Sequence, residues 1–158
     1  MKLKILDCKS GRIQDSNLEL SSSESGPVSL HLRLQNGDVI TAVDRDYFEC
    51  LRSIRLRMES LDQQLLLKGA QLNVWATGLA RQSSRGRKGF IMRAVGQPAR
   101  LEDEVDIFSL AEPEDIASVE AQQVFAREWF RFFAHPETPE AESEFNEKWA
   151  KSFPLPKT

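Results

Sequence analysis

The chain reads as an α+β protein: a predominantly antiparallel sheet with two main helices and an acidic, helical C-terminal tail. Three observations predict this. Residues 28–43 spell a β-hairpin around Asn36-Gly37. Two segments, 44–62 and 118–133, repeat apolar side chains at helical spacing. Between them stand short apolar runs separated by glycine-bearing turns, which suit a second set of strands.

Taken in order, KLKILD (2–7) alternates as a strand does, Ser10-Gly11 can turn the chain, and a second extended piece fits 12–20. SSSESG with Pro27 is a polar loop. VSLHLRL (28–34) then sets Val28, Leu30, Leu32 and Leu34 on one face. Asn-Gly favours the two positive-φ positions of a type I′ turn, so a two-residue loop is expected. That register places Leu34 opposite Val39 and puts Val39, Thr41 and Val43 on the apolar face.

Asp44 or Asp46 can cap the next element. Tyr47, Leu51, Ile54, Met58 and Leu61 fall at spacings of four, three, four and three, one stripe of an amphipathic helix. Arg45, Glu49, Arg52, Arg55 and Glu59 lie off the stripe and can make i,i+3 and i,i+4 pairs. LLL (65–67), LNVW (72–75), FIMRAV (90–95) and VDIF (105–108) are the later strand candidates, with 83–89 as a loop. Pro113 suits a first helical turn, and Ser118 can cap a helix running to about Phe133, anchored by Val119, Phe125, Trp129, Phe132 and Phe133. The residues beyond, PEAESEFNEKWAKSF, can form a further helix with Phe145 and Trp149 on one side and Phe153 following. No repeat or linker divides the chain, so 1–158 is expected to be one domain, with a body (1–133) and an acidic tail segment (134–158).

Net charge is −3, which disfavours general affinity for nucleic acid but conceals a division. Residues 1–100 hold sixteen Lys/Arg against ten Asp/Glu, and residues 101–158 hold five against fourteen. The stretch 63–101 contains no acid at all. Two cysteines, Cys8 and Cys50, without metal spacing read as reduced thiols. No apolar run approaches the roughly 18–20 residues of a membrane span, and no secretory leader is legible. The expected location is the cytoplasm.

Catalytic signatures are sparse. His31 sits on the polar side of a strand and His135 precedes Pro136; with two cysteines they lack ligand spacing, so neither a metal nor a cofactor is expected. GLARQSSRGRKG lacks the Gly-Lys-Ser/Thr of a phosphate loop, because Lys88 is followed by Gly89, and lacks the three glycines of a dinucleotide turn. It reads as a cationic loop in which Arg81, Arg85, Arg87 and Lys88 could hold an anion. Glu104 and Asp106, two apart on a strand, share a side as a loose carboxylate pair.

The block GAQLNVWATGLARQSSRGRKGF…VDIF resembles one in small uncharacterised bacterial proteins. The residues that carry the resemblance are Gly69, Ala70, Asn73, Val74, Trp75, Gly78, Arg81, Gly86, Val105, Asp106 and Phe108. It implies no enzymatic role. In size, acidity and α+β style the chain is similar to the immunity proteins of bacterial polymorphic toxin systems. That similarity implies a non-catalytic module that neutralises a cognate toxin by occlusion. Glu137, Glu140, Glu142, Glu144, Glu147 and Trp149 would form its partner-binding face. The alternative is a nucleotide- or RNA-interacting protein using Arg81, Arg85, Arg87 and Lys88. An enzyme would be favoured by a pocket joining His31 to a carboxylate.

Overall fold

Alternation in the N-terminal half builds a five-stranded antiparallel sheet. In the computed structural model, which describes residues 1–97, 100–134 and 138–152, the strands are β1 (Lys2–Asp7), β2 (Ile13–Ser22), β3 (Val28–Arg33), β4 (Val39–Asp44) and β5 (Gln63–Leu65). Their order is β4-β3-β2-β1-β5, every neighbouring pair antiparallel. One face carries Leu3, Ile5, Leu18, Leu30, Leu32, Ile40 and Ala42, all buried. Helix α1 (Tyr47–Glu59) covers it.

The hairpin forms, but its register is not the expected one. Leu34 N–H donates to the Asp38 carbonyl at 2.8 Å, Gly37 N–H to that of Leu34 at 3.0 Å, and Gly37 alone among 35–37 has positive φ (92°). The loop therefore has three residues, a turn followed by a left-handed glycine, instead of a type I′ pair. Arg33 faces Val39 and Leu32 faces Ile40. One residue of slip exchanges the faces of the returning strand. Ile40 and Ala42 enter the core, while Val39 and Val43 are 47% and 61% exposed.

Asp46 caps α1, its Oδ1 accepting the Glu49 N–H at 2.9 Å. Tyr47, Leu51, Ile54 and Met58 are buried as their spacing predicts, joined by Phe48 and Cys50. Leu61 lies beyond the Ser60 cap, where the helical period no longer applies, and is exposed. Arg55 lies off the apolar stripe yet is buried, 4% exposed. Its Nη2 donates to the Ala117 carbonyl at 2.8 Å and its Nη1 to Gln122 Oε1 at 2.5 Å. Gln122 is buried as well, its Nε2 lying 2.8–2.9 Å from the carbonyls of Gly69, Gln71 and Val74. This Arg–Gln pair joins α1, the turn at 68–74 and α3 (Val119–Ala134). Among the described residues it leaves no buried side-chain polar atom unpaired.

A short helix α2 (Gly78–Ser84) stands between β6 (Val74–Trp75) and β7 (Lys88–Ile91), so the loop expected at 83–89 is confined to 85–87. Thr77 Oγ1 accepts the Ala80 N–H at 3.2 Å, and Arg85 (φ 54°) and Gly86 (φ 78°) end the helix in left-handed conformation. Seven residues are too few to display a period, which is why α2 is invisible in the pattern. β7 pairs with β6 and with β8 (Glu104–Asp106), making a second, three-stranded antiparallel sheet. Ser118 caps α3 through Ala121 N–H at 3.0 Å, and Pro113–Asp115 forms a single 3-10 turn before it.

Helix α4 (Pro139–Lys148), capped by Thr138, packs Phe145 against Phe132 and Phe125, with ring centroids 4.9 and 6.0 Å apart. These rings, with Met92 and Ala126, form a second buried cluster, and Trp75 touches both it and the main core. Glu137, His135 and Phe153 lie outside the described residues. No described helix is long and apolar enough to cross a membrane.

Candidate functional site

A cleft of about 650 Å³ lies between the second sheet and the C-terminal helices. Trp75, Phe90 and Ile91 form one wall, Trp129, Phe130 and Phe132 of α3 the other. Leu79 of α2 stands at the edge, 76% exposed, and Val95, Gly96 and Gln97 close a side together with Glu142 of α4. The segment 93–97 is held from both helices. Trp129 Nε1 donates to the Arg93 carbonyl at 2.8 Å, and Asn146 both accepts from Val95 N–H (2.8 Å) and donates to Val95 O (3.1 Å).

Among the described residues, three charged side chains line this cleft: Arg93, Asp103 and Glu142. Arg93 and Asp103 are consumed by one another. Arg93 Nε meets Asp103 Oδ2 at 2.8 Å and Nη2 meets Oδ1 at 2.7 Å, a two-point pair with both residues buried. Burial by itself raises the Asp103 carboxyl. The Arg93 hydrogen bonds and the Arg100 amide (2.9 Å) more than offset it and hold the group below the usual carboxylate range. The same pairing raises Arg93. Glu142 is half-buried, and among the described residues its carboxylate enters no ion pair and accepts no hydrogen bond.

The four cations expected to hold an anion are each engaged within the chain. Arg81 Nη1 reaches Asp46 Oδ2 (3.0 Å) and Glu49 Oε1 (2.9 Å), its Nε donates to Ala76 O (3.0 Å), and its guanidinium lies 5.0 Å from the Phe48 ring centroid. Arg85 donates to the carbonyls of Ser23 (2.8 Å) and Gly26. Arg87 pairs with Asp106 at 3.1 Å and Lys88 with Glu104 at 2.7 Å. The basic stretch thus meets the beginning of the acidic third within one molecule. Glu104 and Asp106 do share a side of β8, but as partners of cations.

The acids of α4 divide by helical position. Glu140, Glu144 and Glu147 recur at spacings of four and three on the outward side, all exposed and without an ion pair among the described residues. Glu142 falls on the cleft side. Trp149 turns inward: it meets Phe125 edge-on at 5.1 Å and donates from Nε1 to Glu128 Oε2 at 3.2 Å. The expected partner-binding residues therefore do not form one surface.

His31 is on the outer side of the five-stranded sheet, its ring nitrogens against Thr41 Oγ1 (3.0 Å) and Ser29 Oγ (3.2 Å) with no carboxylate bonded to it. Cys50 is buried, and burial pushes its thiol up to about 11, far from nucleophilic at neutral pH. Among the described residues no group of three His, Cys, Asp or Glu side chains could hold a metal ion. What the described lining offers is apolar and aromatic surface with one uncommitted carboxylate, Glu142. The pattern of the sequence did not disclose it, because Trp75, Phe90 and Trp129 read equally well as core anchors. Comparison with known proteins finds no matching family model and no matching curated protein.

Proposed function

We propose that the chain is a non-catalytic protein-binding module of the immunity type, meeting a basic surface of a toxin partner through the outer face of α4. The observation that carries this reading is the stripe Glu140, Glu144 and Glu147, exposed and free of ion pairs among the described residues, while the cations at 81–93 are engaged elsewhere in the fold. An unneutralised acidic stripe on a docked helix attracts a cationic partner and speeds its association. Trp149 contributes by fixing α4 to α3, which presents the stripe in one orientation. The nucleotide- or RNA-binding alternative draws less support, since Arg85 and Arg87 would have to leave their present partners.

The test is co-expression with the product of the neighbouring gene. A salt-sensitive complex that protects cells from that product is expected. The triple charge reversal E140K/E144K/E147K should weaken the complex and slow its association while leaving thermal unfolding unchanged. A harmless neighbour that forms no complex would remove the reading.

A further inference from the structure

The cleft, on the other side of α4 from the acidic stripe, carries an assignment of its own. Its size falls within the range of about 300–1,000 Å³ typical of sites for single small organic molecules. Its lining is chiefly apolar and aromatic, including Trp75, Phe90, Trp129 and Phe130. Such surface stabilises flat or bulky hydrocarbon, and the negative ring faces also attract a cation. The charge balance selects further. Arg93 and Asp103 cancel through their two-point pair, so among the described residues Glu142 is the remaining charge on the lining. An anionic ligand would set its charge against Glu142, and a neutral one would leave that carboxylate unused. A cationic one would neutralise it at the mouth.

We propose that this cleft binds a small organic cation: an apolar or aromatic body seated between β7 and α3, with a single ammonium paired to Glu142. The lining segment 93–97 is pinned by Trp129 and Asn146 to α3 and α4, so its wall is in place before a ligand arrives. Preformed walls of this kind lower the ordering cost of binding.

The experiment titrates the full chain with three probes that share one body: pyrenemethylamine, pyrenemethanol and pyrenecarboxylate. Energy transfer from tryptophan to pyrene reports binding, because Trp75 and Trp129 line the site. The amine should bind most tightly, then the alcohol, then the carboxylate. Glu142→Gln should bring the amine down to the level of the alcohol, a loss of about three- to fivefold, the scale of one partly exposed charge pair. The alcohol itself should be unaffected by that change. Phe130→Ala should weaken all three, with circular dichroism confirming that the variant is folded. If the carboxylate binds as tightly as the amine, or Glu142→Gln leaves the preference intact, or none of the probes binds, the assignment fails. It fails equally if sedimentation shows a dimer that pyrenemethylamine dissociates, since a second copy would then occupy the cleft.

Discussion

Replacing Gln122 by leucine, nearly its equal in volume, should be among the most damaging single changes outside the apolar core. Gln122 Nε2 serves the carbonyls of Gly69, Gln71 and Val74, and its Oε1 receives Arg55. Two amide N–H groups at about 1 kcal/mol each, plus one charge-assisted bond of about 2 kcal/mol, give a loss of about 4 kcal/mol. Arg55 itself is held at a cost. Burial draws its guanidinium down to about 10, which corresponds to about 3 kcal/mol against the cation. The folded value is the lower one, so this penalty is constant at neutral pH and is relieved only as pH rises above about 10. Removing both members, Arg55→Met with Gln122→Leu, therefore deletes the penalty together with the bonds. The double variant should be more stable than the sum of the singles predicts, by about 1–3 kcal/mol. Urea unfolding followed by tryptophan fluorescence and circular dichroism, with unchanged denaturant slopes, measures all four corners of the cycle. Additivity within about 0.5 kcal/mol would refute the coupling, and with it the reading of Arg55 and Gln122 as one unit.

Three further outcomes are expected. Gly86→Ala should cost about 2–4 kcal/mol in urea unfolding, from left-handed strain and overpacking, because φ is 78° and an added Cβ would lie 2.8 Å from Asp46 Oδ1 and 3.0 Å from Phe48 N. On β4, Val43→Thr should change stability by less than about 0.5 kcal/mol, whereas Ile40→Ala should cost about 2–4 kcal/mol; the reverse order would restore the two-residue turn. Asp103 has a folded pKa below its ordinary value, so its contribution is present above about pH 4 and disappears as pH falls through that lower pKa. Asp103→Asn should thus be less stable at neutral pH and show a flatter decline in its urea midpoint between about pH 4 and pH 2.

The expectations that hold rest on short-range chemistry. The alternation in 28–33, the three- and four-residue spacing from Tyr47 to Met58, and the Ser118 and Asp46 caps each involve residues within one or two turns of each other. Those that fail involve choices between nearly equal local options. Asn-Gly is compatible with two turn types, and the choice was decided by which side of β4 could bury Ile40 against α1. Arg55 differs from Arg52 only in its position around α1, and nothing within α1 shows that Gln122 lies 67 residues away to receive it. Likewise α2 depends on a single threonine cap and two left-handed residues.

The sequence by itself determined an α+β chain with a hairpin, two amphipathic helices and a separation of charge along its length. Only the tertiary structure decided which charges meet. The cations at 87–93 find the acids at 102–106 because β7 and β8 are neighbours, while helical phase leaves Glu140, Glu144 and Glu147 of α4 outward and turns Glu142 to the cleft. It also decided that aromatics legible as core would stand apart as the walls of a cleft. Charge and hydrophobicity belong to single residues and can be read one at a time; pairing and concavity belong to surfaces that exist only when distant segments are brought together.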